Sequence, residues 1–115
     1  MSQAKTMRRP DIGDAAQDMA AKAAEAAAFI KTVSNEKRLL VLCRLIEVGE
    51  APVGALAADV GLSQSALSQH LALLRDEGMV ATRREAQSVL YRISDDRVAR
   101  LVHLLHDMFC GDRTS

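Results

Sequence analysis

The chain has 115 residues, one domain's worth of sequence with room for a single modest core, which excludes a multidomain architecture. Lys and Arg number 15 and so do Asp and Glu, so the molecule as a whole is no polycation, and any basic surface must be local. Hydrophobic residues make up 49% but aromatics only 3%, and the excess of Ala and Leu argues for helix over an all-β fold. Two cysteines, Cys43 and Cys110, are too few for a disulfide framework and form no Cys-x-x-Cys pair, which points to a reducing cytoplasm. Arg8-Arg9 is followed by Pro10-Asp11-Ile12-Gly13-Asp14 rather than an apolar run, and no stretch approaches a membrane span. A soluble intracellular protein without a membrane partner is therefore expected.

Residues 1–13 are polar and carry Pro10 and Gly13, so they are expected to form a flexible leader, with 14–111 as the folded domain and 112–115 as a flexible tail. From Asp14, a suitable cap, to Val33 an Ala-rich helix places Met19, Ala23, Ala26, Ala27, Phe29, Ile30 and Val33 along one stripe. Such a stripe of small residues suits a subunit contact. Ser34 or Asn35 caps a second helix with Leu39, Leu42, Cys43 and Ile46 at helical spacing up to Gly49, which turns Cys43 toward the core. Pro52 opens a short third helix over Val53–Val60, closed by Gly61, and after Leu62 a fourth helix starts with Ser63 as its cap and runs to Glu77 before Gly78. Two helices joined by so short a turn make a helix-turn-helix. Met79–Arg84 and Ser88–Ile93 are β-prone runs separated by Glu85-Ala86-Gln87, the signature of a hairpin and of the one sheet expected. Ser94-Asp95-Asp96 then caps a last helix carrying Val98, Leu101, Val102, Leu105, Met108 and Phe109 on one stripe and ending at Cys110-Gly111. The fold expected is mainly α with a small β-hairpin: four helices, two strands and a fifth helix.

On the fourth helix Leu67, Leu71 and Leu74 share one face, while Gln64, Ser65, Ser68, Gln69 and Arg75 lie on or near the other. Short polar side chains let a helix enter the major groove and read base edges, and the helix N-terminus with the Ser63 and Ser65 hydroxyls suits phosphate. The hairpin adds Arg83, Arg84 and Arg92, with Gln87 at its tip, as a wing for flanking backbone or a minor groove. Over residues 63–92 the cations Arg75, Arg83, Arg84 and Arg92 face the acids Asp76, Glu77 and Glu85, so one protomer gains little from counterion release. A two-fold dimer doubles the contacts and spaces two reading helices about 34 Å apart on a pseudo-palindromic double-stranded operator.

Leu62-Ser63-Gln64-Ser65-Ala66-Leu67-Ser68-Gln69-His70-Leu71, followed by Leu74-Arg75, Gly78-Met79-Val80 and Arg83-Arg84, resembles the reading-helix signature of the ArsR/SmtB family of winged-helix repressors. The resemblance spans about residues 25–110 and implies a winged helix-turn-helix, dimerisation through the first and last helices, and regulation rather than catalysis. His70 is expected to brace the helix or to touch DNA. Family members usually sense a metal or arsenite, through paired cysteines near the third helix or Asp and His on the last one. Here Glu50–Ala57 holds no thiol, and although Asp96 matches the start of the zinc motif, Val98 stands where a His belongs. His103 and His106 have a spacing that lets both touch one ion, yet two imidazoles are half a site, so no metal and no cofactor are expected.

Cys43 alone reads as a small core hydrophobe, whereas Cys110 at a helix end beside Gly111 is open to solvent and oxidant. The two face one another only if the last helix folds back across the second. The placement of both cysteines, and Arg83-Arg84-Glu85-Ala86-Gln87, resemble the persulfide-responsive branch of the family, of the SqrR and BigR type. That resemblance implies that sulfane sulfur or an oxidant joins Cys43 to Cys110, by a disulfide or a longer polysulfide, and releases the operator. Ala86 stands where many wings of the family turn on Gly. The rival functions are a metal- or arsenite-responsive repressor using His103, His106 and a cysteine, a thiol peroxidase, and a protein-binding module using the same fourth helix.

Overall fold

The computed structural model describes residues 9–111, with side chains from residue 15 onward. The flexible leader over 1–8 and the tail over 112–115 expected from the sequence lie outside the described residues. Helix α1 (Arg9–Val33) has 25 residues. It starts ahead of the Asp14 cap expected, and 9–13 are helical rather than loose, because Pro10 sits in the first turn, where its missing N–H costs no hydrogen bond. Lys22 and Glu25 pair at 3.5 Å along it, and Met19 and Ile30 are exposed. The chain divides after Thr32, and the second body begins at Val33.

In that second body α2 (Glu36–Val48) is capped by Asn35, whose Oδ1 accepts from Arg38 N at 3.0 Å. A two-residue strand β1 (Ala51–Pro52) precedes α3 (Val53–Val60), which ends on Gly61 in the left-handed conformation, at φ 74°. Lys37 Nζ donates to Val60 O at 2.8 Å, tying α2 to the turn before the next helix. Helix α4 (Gln64–Asp76) follows, then β2 (Val80–Glu85), β3 (Ser88–Ile93) and α5 (Asp96–Cys110), the last capped by Asp95. Both β2 and β1 pair antiparallel with β3, giving a three-stranded sheet in the order β1-β3-β2. The third strand was not expected. It exists because Ala51 and Pro52 reach the free edge of β3 opposite Tyr91 and Leu90, a pairing with no local signature.

The core is built from Val41, Leu42 and Leu45 of α2, Leu56, Ala57 and Val60 of α3, Leu67, Leu71 and Leu74 of α4, Met79 and Val80, and Val98 and Val102 of α5. All three leucines expected on the inner face of α4 are fully buried, at 0% exposure. The stripe on α5 divides along its length: Val98 and Val102 are buried, while Met108 and Phe109 are exposed at 63% and 76%. No described helix is long and apolar enough to cross a membrane.

Candidate nucleic-acid interface and thiol pair

The reading helix is set by its two ends. Ser63, extended at φ −69° and ψ 158°, accepts from Ala66 N through Oγ at 3.1 Å and so satisfies one of the orphan donors of the first turn. Gly78, at φ 74°, turns the chain into β2, with Gly78 N and Met79 N bonded back to Arg75 O and Leu74 O at 2.9 Å. Burial of Leu67, Leu71 and Leu74 then forces the opposite side outward: Ser63, Gln64, Ser65, Ser68, Gln69 and Arg75 are all exposed. Gln64 is partly engaged, since its amide lies where a Cβ on Gly54 would come within 3.3 Å.

His70 is half-buried and 3.1 Å from Arg38 Nη1. A guanidinium only donates, so in this contact Nδ1 is the acceptor. The imidazole thus braces α4 against α2, and the Arg38 partner is a residue the sequence reading missed.

The wing turns tightly. Glu85 and Ser88 are paired, so only Ala86 and Gln87 form the loop, one residue fewer than expected. Ala86 takes φ 55° and Gln87 does not share the positive value, the pattern of a II′ turn, in which the first central residue favours Gly. Gln87 is exposed at the tip, and Arg84 is exposed without an ion pair among the described residues. Arg83 is exposed but engaged: its Nε reaches Glu50 Oε2 at 2.8 Å and its Nη2 reaches Oε1 at 2.8 Å. These hydrogen bonds hold the Glu50 carboxyl below the usual carboxylate range, and Arg92 adds a smaller attraction. Nothing local in the sequence links Glu50 to Arg83.

The thiols are both free. Cys43 is exposed, which corrects the expectation that it faces the core. Val41, Leu42 and Leu45 hold the inner face of α2, and the position after Leu42 is rotated about 100° from it toward α5. Cys43, Ile46 and Glu47 of α2 with Val102, His103 and His106 of α5 line a cleft of about 320 Å³. Partial desolvation there pushes the Cys43 thiol pKa up, and the negative charges of Cys110 and Glu47 push it further. Cys110 is half-buried and ends α5, the helix that forms the other wall of this cleft. His103 and His106 border the same cleft, and among the described residues no group of three or more His, Cys, Asp or Glu side chains is placed to hold a metal ion.

Comparison with known proteins agrees with this architecture. A family model described as a bacterial regulatory protein of the arsR family matches residues 35–82. The transcriptional activator HlyU of Vibrio cholerae is 47% identical over 82% of this chain and 86% of its own. The biofilm growth-associated repressor of Xylella fastidiosa is 42% identical over 83% of this chain and 82% of its own. The structure of reduced HlyU from Vibrio cholerae superposes with a TM-score of 0.76, covering 82% of this chain and 98% of that one at 47% identity. The structure of the transcriptional repressor BigR from Xylella fastidiosa gives 0.75 at 41% identity, covering 82% of this chain and 95% of that one. The chain belongs to the arsR family of bacterial regulatory proteins and is a winged helix-turn-helix transcriptional regulator.

Proposed function

We propose that this regulator is a thiol-based repressor, bound to a pseudo-palindromic operator as a homodimer while Cys43 and Cys110 are reduced, and released when reactive sulfur or another oxidant bridges them. The observation that supports the proposal is that Cys43 lines a cleft between α2 and α5, the helix that ends at Cys110, and Cys110 is among the groups that push the Cys43 pKa up. The repressor sign follows the Xylella fastidiosa relatives, and one HlyU structure is described as reduced. Exposed apolar side chains on α5, Leu104, Met108 and Phe109, are the surface expected to meet a second copy, as are Met19 and Ile30 on α1.

The chemistry balances with a persulfide as the only oxidant. Its outer sulfur passes to the thiolate of Cys110, releasing the parent thiolate and leaving Cys110 as a persulfide. Cys43, held protonated more than an ordinary thiol, then loses its proton and attacks the Cys110 Sγ, expelling hydrosulfide and forming a disulfide. When both cysteines first accept a sulfur, the same condensation expels one hydrosulfide and leaves a trisulfide. A disulfide requires Cα atoms within about 7 Å, and an inserted sulfur relaxes that limit.

Closing a loop of roughly 67 residues removes unfolded-state entropy worth about 4 kcal/mol, while a 100-fold loss of operator affinity needs only about 2.7 kcal/mol. Only the part of the bridge energy that differs between DNA-competent and DNA-incompetent dimers acts on the operator. The crosslink must therefore shift α5 and, with it, the spacing of the reading helices. The test is DNA binding by Cys43→Ser and Cys110→Ser with and without persulfide: both variants bind and neither responds. A response retained by either one rejects the two-thiol mechanism.

A further inference from the structure

The two adjacent arginines of the wing leave the hairpin on opposite faces. In the register of the sheet Thr82 faces Tyr91, Arg83 faces Leu90 and Arg84 faces Val89, while Pro52 of β1 lies on the other side of Leu90. Alternation puts Val80, Thr82 and Arg84 on one face and Ala81, Arg83 and Glu85 on the other. Val80 and Ala51, on the first face, are buried in the core, so that face is turned toward the helices and Arg84 extends it beyond the core edge. On the second face Arg83 meets Glu50, the residue just before β1, through contacts of 2.8, 2.8 and 3.1 Å that use both carboxylate oxygens. Glu85 approaches the same guanidinium at 3.5 Å. Two strands that differ in their place in the chain are thereby pinned across β3.

We infer that Glu50 and Arg83 form a brace that fixes the angle of the wing, and that Arg84 is the cation the wing presents to the DNA backbone. The physical reason is charge accounting. A guanidinium held bidentately by a carboxylate forms a pair with no net charge, which has no counterions to release, and to reach a phosphate Arg83 would have to leave Glu50 behind beside the DNA. Arg84 has no such partner among the described residues and is exposed at the end of the strand. Arg83 is thus a positioning residue, and Glu50, which has no place in the helix-turn-helix itself, belongs to the DNA-binding apparatus. The assignment rests on duplex DNA as the partner and is independent of the thiols.

The experiment has two arms. In the first, binding of a mixed-sequence duplex of about three helical turns is followed against potassium chloride concentration. Arg84→Gln flattens the logarithmic salt slope by about 1 per bound protomer, whereas the reversed pair Glu50→Arg with Arg83→Glu, which keeps the brace and its zero net charge, leaves the slope as in the unaltered chain. In the second arm, without DNA, amide exchange at Leu90 and Tyr91 accelerates about two- to fivefold in Arg83→Gln and in Glu50→Gln. The reversed pair, Glu50→Arg with Arg83→Glu, restores slow exchange. A slope that falls in the reversed pair as it does in Arg84→Gln overturns the assignment, as does an unaltered chain that binds no duplex. Exchange that ignores both Arg83→Gln and Glu50→Gln overturns the brace, and this result is separable from any failure of DNA binding.

Discussion

Replacing Ser63 separates what the start of α4 does for stability from what it does for DNA. Its hydroxyl accepts from Ala66 N at 3.1 Å and lies 3.3 Å from the Ser65 hydroxyl, so Ser63→Ala leaves an N–H of the first turn without its partner. Loss of such a cap costs about 1 kcal/mol, which in a domain of this size lowers Tm by roughly 4–8 °C. Ser63→Asp keeps an acceptor in place and adds a negative charge that the helix dipole favours, so its Tm equals or exceeds that of the unaltered chain. The same carboxylate repels a phosphate held at the helix N-terminus. At about 6 Å, with an effective dielectric between water and a protein surface, the repulsion is about 1–3 kcal/mol, a loss of roughly 5- to 150-fold in affinity. Thermal unfolding by circular dichroism and anisotropy titration of a labelled duplex read the two effects. An unchanged Tm for Ser63→Ala refutes the cap, and undiminished duplex binding by Ser63→Asp refutes a phosphate at this end of α4.

Three further outcomes follow from particular residues. Ala86→Gly relieves a positive-φ alanine worth about 1–2 kcal/mol but frees the unfolded chain by about 0.4–1 kcal/mol, so denaturant melts should show a gain of up to about 1.6 kcal/mol, and a loss would contradict the turn assignment. Leu71→Ala opens a hole beneath the reading helix at a residue with 0% exposure and costs about 2–5 kcal/mol; a shift below about 1 kcal/mol in urea unfolding would place Leu71 outside the core. Cys110→Ser removes a negative neighbour from Cys43, so the midpoint of the alkylation-rate profile of Cys43 moves to lower pH yet stays above that of an ordinary thiol, because desolvation, the larger cause, persists. A midpoint that does not move shows that the two sulfurs do not sense one another.

The recognition half of the molecule was legible because its signals are local and agree with one another. Ser63 caps, Leu67, Leu71 and Leu74 repeat at helical spacing, and Gly78 stops the helix, so period and punctuation fix the buried face and therefore the exposed one. The caps of α2 and α5 were legible to within a residue or two, as Ser34 or Asn35 and as Ser94-Asp95-Asp96, and the structure uses Asn35 and Asp95. Other features depend on contacts that no local pattern encodes. The strand at Ala51–Pro52 has two residues and exists only because β3 offers an edge. The start of α1 at Arg9 was hidden by Pro10, which reads as a breaker although a first turn accepts it. Cys43 shares helical spacing with Leu39, Leu42 and Ile46, yet the actual inner face is centred on Val41, Leu42 and Leu45, which leaves the thiol on the flank toward α5. The engagement of Arg83 by Glu50 is set by sheet register, and a basic pair in a wing carries no sign of which arginine is occupied.

The measurement that bears most directly on the thiol switch combines the intact mass of persulfide-treated protein with its operator affinity before and after reduction. The expected result is one intramolecular bridge that consumes both cysteines, as a disulfide lacking two hydrogens or the same species with added sulfur, together with an affinity loss of about 100-fold that dithiothreitol reverses. A fully modified protein that keeps its grip on DNA, or one that lets go with Cys43 still free, contradicts it.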